Sequence, residues 1–215
     1  MQYVDLIVPT RGRHAKLAKM LESVPREAAG KQINVIAAFD ADERLAHDRI
    51  NQVFVIVGKR IGSVAIRNRV TALALDAVLM ATDDVIFEAG AIEAAVLAME
   101  ERFPDGDGVV GFVQTNHKSY SPTGVCLVGQ NFLRRYPGKQ LYFPGYFHFA
   151  CQEIERLARS LDKLHVEPKA QLFHAHPSTG DGKMDRTHRE ARVHKAQDQA
   201  LSKTRREAGL TWGAA

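Results

Sequence analysis

Apolar and polar positions along the chain fall into blocks of two different periods. Residues 3–8, YVDLIV, form a short β-rich run that stops at Pro9, and a polar turn, Thr10-Arg11-Gly12-Arg13, follows. Leu17, Met20, Leu21 and Val24 then recur at helical spacing, which predicts an amphipathic helix over 14–24. Short apolar runs at 33–39, 53–57, 77–80 and 109–113 predict four further strands. Val64, Ile66, Val70, Leu73 and Leu75 predict a helix after Gly62-Ser63, and Ile92, Val96 and Met99 predict another over 89–102. Strand and helix patterns that alternate in this way imply an α/β layer fold with a mostly parallel sheet flanked by helices. The stretch 114–147 carries Pro122, Pro137 and Pro144 with Gly124, Gly129, Gly138 and Gly145, and reads as loops and short strands. Helices are expected over 149–161 and 187–208.

Polar clusters recur just past the strand ends: Thr10-Arg11, Asp40 to Asp42, and Asp83-Asp84. In an open α/β sheet that edge is where ligands bind. No repeat, low-complexity tract or linker divides the chain, so a single domain over 1–215 is expected.

Composition narrows the class without changing this picture. The chain is 45% hydrophobic and 25% charged, enough apolar mass for the core of a domain of ~150–200 residues. No apolar run reaches the ~18–20 residues of a membrane span. The opening MQYVDLIVPTRGR has neither the basic-then-apolar order nor the cleavage site of a secretory signal, so none is expected. Cys126 and Cys151 form no CxxC pair, which argues against a disulfide scaffold and favours a cytoplasmic setting. The net charge of +4 is uneven. Residues 183–209 hold eight Lys and Arg against four Asp and Glu, so the basic C-terminal helix and tail (183–215) supply the whole excess. Such a segment is either a solvated helix or one that lies near phosphate.

Three sets of residues could carry chemistry. Asp83-Asp84 follows an apolar strand, and paired carboxylates there suit Mg²⁺ or Mn²⁺; the plain alternative is a turn cap. His174 and His176 alternate in an extended segment, so both rings can face one site as metal ligands, or can be ordinary loop histidines. Glu153 and Glu155 stand near a helix start, where either can act as a general base, and their spacing turns them to different sides. His148, Lys118 and Tyr120 are candidates for acceptor contact, against the plainer role of satisfying backbone groups. Arg189 and Asp185, with the Gly-rich HPSTGDGKMD segment, could form a lid over a bound ligand.

Taken in order, VDLIVPTRGR, AAFDADE, GSVAIRNRVTALA, VLMATDDVIF, and YFHFACQEIERLA followed by LFHAHPSTGDGKMDRTH resemble a family-2-type glycosyltransferase of the GT-A fold, in a compact form often seen in phage genomes. The resemblance covers residues 3–190. It implies a GT-A-like single domain with a Rossmann-like central sheet, and transfer of a sugar from a nucleoside-diphosphate donor, UDP being the usual base, to a hydroxyl acceptor. The acceptor classes include a modified base in DNA and a glycan. Pro9, Thr10 and Arg11 would shape the nucleotide pocket, Asp40 would contact the base, and Arg67 and Asn68 would line the nucleotide site. Asp84 would hold the Mn²⁺ or Mg²⁺ that bridges the diphosphate, Asp83 would support it or contact the ribose of the nucleotide, and His174 or His176 would complete the coordination. Glu153 would be the catalytic base.

The sequence departs from the family pattern twice. Thr82 stands at the first acidic position of the metal motif. Cys151 stands where many inverting relatives have an acidic residue, so that either Glu153, the nearest carboxylate, is the base, or the reaction is retaining, or the enzyme is weak or altered. These departures keep two rival readings open, a non-catalytic nucleotide-sugar-binding module and a metal-dependent nucleotidyltransferase.

Overall fold

The computed structural model describes residues 1–39, 53–57, 61–118 and 120–213, with only the backbone of 53–57. Asp40 lies outside the described residues. The sheet starts from β1 (Tyr3–Thr10), whose successive side chains serve two opposite layers. Val4, Leu6 and Val8 pack with Leu17 and Met20 of α1 (His14–Glu22) and with Ile92, Val96 and Met99 of α3 (Ala91–Arg102). Ile7 packs on the other face, with Val64, Ile66 and Val70 of α2 (Ser63–Thr71), Phe132 of α4 (Gln130–Leu133) and Ile154 and Leu157 of α5 (Cys151–Ser160). A strand covered on both faces reads as a continuous apolar run, which is why YVDLIV is legible as one.

β1 pairs in parallel with β3 (Lys31–Phe39), from Tyr3↔Gln32 to Thr10↔Phe39, and with β5 (Ala77–Met80), from Val4↔Ala77 to Ile7↔Met80. β4 (Val53–Val57) pairs in parallel with β3, and the two-residue β2 (Glu27–Ala28) runs antiparallel to it. The four parallel strands end on one edge. That edge brings Thr10 and the Thr82-Asp83-Asp84 segment together.

Past β5 the sheet changes character. β8 (Cys126–Val128) runs antiparallel between β5 and β7 (Val109–Gln114), β9 (Leu164–His174) runs parallel to β7, and β6 (Val85–Phe87) closes the order antiparallel to β9. The sheet is thus mixed: β4, β3, β1 and β5 run parallel to one another, and past β5 only β7 and β9 pair in parallel. β6 and β8 are three residues long, too short to show a period. β9 carries Pro168 in a stretch that bulges between its two pairings with β7, Gly111↔Val166 and Val113↔Gln171, so its sequence shows no clean apolar run.

Helix ends also differ from the sequence expectation. α2 stops at Thr71, so Leu73 and Leu75 lie beyond it and are exposed. The helix expected over 187–208 is α6 (Arg186–Glu207), 22 residues long. It is more than a solvated tail, because its buried His188, Asp198 and Ser202 face the domain.

Candidate functional site

The site assembles around Asp83 and Asp84, both buried, at the end of the parallel edge. Thr10 Oγ1 at the end of β1 donates to Asp83 Oδ2 at 2.7 Å. The antiparallel register of β6 with β9 sets Val85 opposite His174, and the Ala175 N–H donates to the Asp84 carbonyl. His174 Nε2 therefore lies 3.2 Å from Asp84 Oδ1. His188 comes from the first turn of α6. Asp185 caps that helix by accepting from the His188 N–H, in a reciprocal capping box. The cap turns His188 Nε2 to within 3.4 Å of Asp84 Oδ2. His176 lies between the two histidines, with ring centroids 5.1 Å from His174 and 4.8 Å from His188, and its Nδ1 accepts from the Ser178 N–H.

Arg13 is the hub of this cluster. Its Nη1 donates to Asp83 at 2.8 Å and to Asp84 at 3.3 Å, and its Nε and Nη2 form a two-pronged bridge to Asp185, both at 2.9 Å. Nη2 also meets His188 Nε2 at 2.9 Å. The residue sits in the polar turn after β1, and both it and His188 escape a reading of the sequence. The one signal for His188 is the D-x-x-H spacing of a helix start at Asp185.

The electrostatics follow from these contacts. Burial raises the Asp84 pKa, but hydrogen bonds from His174 and His188 with the Arg13 charge outweigh it and hold the carboxyl well below the ordinary range. Burial and the neighbouring Asp84 charge push Asp83 the other way, against the pull of Arg13. Burial, then the nearby His174, pushes His176 down to about 4.

Arg67, on α2, is different. It is buried, its Nε has no hydrogen-bond partner, and it makes no ion pair among the described residues. Its guanidinium lies 5.5 Å from the Tyr142 ring. Thr82 Oγ1 is likewise buried and unpartnered. Both residues line two adjoining clefts. One, of about 150 Å³, is bounded by Pro9, Thr10, Arg11, Asp83, Asp84 and the three histidines. The other, of about 530 Å³, extends past Phe112, Gln114, His117, Tyr120, Cys151, Gln152 and Glu155. Arg67, Thr82, His148, His174 and His176 form the shared wall.

Most residues singled out from the sequence thus meet at one place: Pro9, Thr10, Arg11, Arg67, Asp83, Asp84, His174 and His176. Two do not. The Asn68 side chain exchanges hydrogen bonds with the backbone of Tyr142, at 2.7 and 2.9 Å, and lines neither cleft. Glu153 is turned away, to the C-terminal end of α6. It accepts from Arg205 Nε and Nη2, the Tyr146 hydroxyl and the Trp212 N–H. Its helix position, two residues from Glu155, puts it on the packed side, and Glu155 takes the cleft side. Asp185, expected in a lid, is instead the fixed cap of α6.

α6 also shapes the cleft through Asp198. This carboxylate is 2% exposed and accepts from three successive backbone N–H groups, Phe147, His148 and Phe149, at 2.9–3.0 Å. The Phe147 ring stacks on His194 of α6 at 3.7 Å. It also packs on Gly62, where φ is +94° and a Cβ would come within 2.9 Å of the ring.

A divalent cation fits the donor chemistry here. A carboxylate with imidazole nitrogens close to it is a donor set that suits Mn²⁺. Among the described residues no three Asp, Glu, His or Cys side chains are already arranged to hold one. The Arg13 guanidinium is the cation that the carboxylates hold.

No protein-family model and no curated protein sequence matches the chain. Solved structures do. The mannosyltransferase PcManGT from Pyrobaculum calidifontis, in complex with GDP-Man and Mn²⁺, superposes with a TM-score of 0.69 over 94% of this chain and 64% of its own, at 15% identity. S. aureus TarS 1-349 superposes with a TM-score of 0.63 over 83% of this chain and 62% of its own, at 13% identity. The same protein in complex with UDP-GlcNAc gives 0.62, over 86% and 59%, at 15% identity. The chain spans about three fifths of the length of these structures. Its fold is the GT-A fold of these glycosyltransferases.

Proposed function

We propose that the chain is a glycosyltransferase that takes a sugar from a nucleoside-diphosphate donor and joins it to a hydroxyl acceptor. The observation that carries this reading is Arg67. A buried guanidinium without a counter-charge is costly, and an anion in the cleft relieves that cost. The diphosphate of a sugar nucleotide supplies the anion, and the unpartnered Thr82 hydroxyl beside it supplies a further donor. The solved neighbours hold GDP-Man and UDP-GlcNAc, which supports this donor class.

Asp84 and His174 would hold Mn²⁺ or Mg²⁺, with His188 or His176 adding a nitrogen. The ion, when bound, supplies positive charge to the departing diphosphate. Arg67, in the wall shared by the two clefts, would bind the same leaving group. Thr10 and Arg13 orient Asp83, and Pro9, Thr10 and Arg11 border the small cleft on the nucleotide side. The larger cleft, walled by Tyr120, Gln152 and Glu155, takes the acceptor. Arg186, Arg189, Arg192 and Lys195 are exposed along α6, which supports a polyanionic acceptor such as DNA. Its affinity should then fall steeply as salt rises.

The test is a thermal-shift panel of UDP, GDP, TDP and CDP with Mn²⁺, Mg²⁺ or EDTA, on the parent and Asp84→Ala. A rise that needs both metal and Asp84 supports the reading and identifies the base, by mass action on the folded state. No rise with any nucleotide sinks it.

A further inference from the structure

The reaction proposed above needs a group to take the proton of the acceptor hydroxyl, and the residues expected to do so are badly placed. Glu153 faces the far end of α6 and is saturated by Arg205, Tyr146 and Trp212. Cys151 does line the acceptor cleft, but burial raises its thiol pKa, so it stays protonated. Glu155 is held by the Ser121 hydroxyl at 2.8 Å and by Arg159, and it borders the acceptor cleft alone.

His148 stands elsewhere. It belongs to the wall shared by the two clefts, where a sugar on the donor side must meet a hydroxyl on the acceptor side. Its backbone is fixed by Asp198, through its own N–H and those of Phe147 and Phe149. The flanking Phe147 is in turn stacked on His194 and packed on Gly62. This is a built support, with a buried carboxylate given over to one three-residue segment. The side chain remains exposed to the cleft, which gives a proton a way out to water.

We propose that His148 is the general base of the transfer, which implies a single inverting displacement. An unprotonated ring nitrogen takes the hydroxyl proton as the acceptor oxygen bonds to the anomeric carbon. The bond from that carbon to the diphosphate oxygen breaks, and its electron pair leaves with the nucleoside diphosphate. The imidazolium then returns the proton to solvent. Crowding by protein atoms, with the Arg67 charge, pushes the free His148 pKa down to about 4, so the ring is neutral at pH 7. The negative diphosphate beside Arg67 offsets the share of that depression due to the Arg67 charge as the donor binds, which strengthens the base at the step that needs it.

This inference rests on the glycosyl-transfer reading, and its test separates the two. The parent, His148→Ala, His148→Gln and Glu155→Gln are compared with whichever of UDP-GlcNAc and GDP-mannose raises the parent's melting midpoint in Mn²⁺. Water serves as the acceptor probe, and nucleoside diphosphate release is measured. Both His148 variants should keep the donor-induced midpoint rise and lose at least about a hundredfold in release rate at saturating donor. Millimolar imidazole should restore part of the rate to His148→Ala and none to the bulkier His148→Gln. Release at the parent rate by His148→Ala overturns the assignment. So does a loss without imidazole rescue, or an equal loss in Glu155→Gln with His148→Gln active. A parent that neither binds nor turns over either donor overturns the transfer reading itself.

Discussion

Replacing Asp198 by alanine tests whether α6 fixes the loop at the junction of the clefts. The substitution removes both oxygens that accept from the Phe147, His148 and Phe149 N–H groups. A hydrogen bond to a charged acceptor contributes about 1.5–3 kcal/mol, so three of them set an upper bound near 9 kcal/mol. Removing the carboxylate also removes its own burial cost, and water entering from the cleft satisfies part of the loop. Both effects bring the expected loss to about 3–5 kcal/mol. For a domain of this size, each kcal/mol lowers the melting midpoint by about 2–4 °C, so a fall of at least about 6 °C is expected. Urea unfolding measures the quantity directly, as a lower midpoint with an unchanged slope. Asp198→Asn, which keeps one accepting oxygen, should lose about half as much. A loss under about 1 kcal/mol for Asp198→Ala, at constant slope, would refute the clamp and with it the positioning of His148.

Three further outcomes are expected. Arg67→Met removes a buried cation that has no ion pair among the described residues, so it should raise the midpoint of the unliganded protein while abolishing the nucleotide-induced rise; a lower unliganded midpoint would show that Arg67 has a counter-charge. A unit charge about 4 Å from a divalent ion opposes it by roughly 8 kcal/mol at an effective dielectric of 20, so Arg13→Ala should tighten Mn²⁺ binding without nucleotide by at least about tenfold, read from free Mn²⁺ by electron paramagnetic resonance. In EDTA, stability should fall as pH drops from about 6.5 to about 4, because His148 and His176 stay neutral in the fold while the unfolded chain takes up their protons. Below about pH 4 the depressed carboxyls of Asp84, Asp185 and Glu153 continue the loss, whereas the raised Asp83 makes its opposing contribution above that pH, where it offsets part of the histidine loss. Urea midpoints that stay flat from pH 7 to 4.5 would contradict the histidine part.

What the sequence made legible follows from local pattern. β1 and β5 are buried on both faces, as β3 is over its last three residues, and all show as apolar runs; the Thr10 and Asp83-Asp84 clusters are visible because they follow such runs. β8 and β6 are three residues each, and their place in the sheet depends on partners far away in the chain. His174 was recognisable as a ligand candidate, but its partner Asp84 is 90 residues away and meets it only through the β6–β9 register. Glu153 shows the opposite failure. Its composition and helix position are right for a base, and only the packing of α6 shows that its carboxylate faces Arg205. Asp198 could not be found by any local signal, since its three partners are about 50 residues upstream.

α6 is 22 residues long, about 33 Å of continuous helix. It touches Arg13 through its cap, the His148 loop at its middle and Glu153 near its end. These contacts join residues separated by up to 179 positions, as between Arg11 and Glu190. During synthesis at about 5–20 residues per second, roughly 10–35 s pass between the appearance of Arg13 and that of Asp185. Through that interval the parallel strands β1, β3, β4 and β5 can pair, but the loop at 147–149 has no Asp198 to hold its backbone and Glu153 has no Arg205. The nascent chain is therefore a scaffold whose ligand edge is unfinished, and the cleft acquires its final shape in a single late docking event.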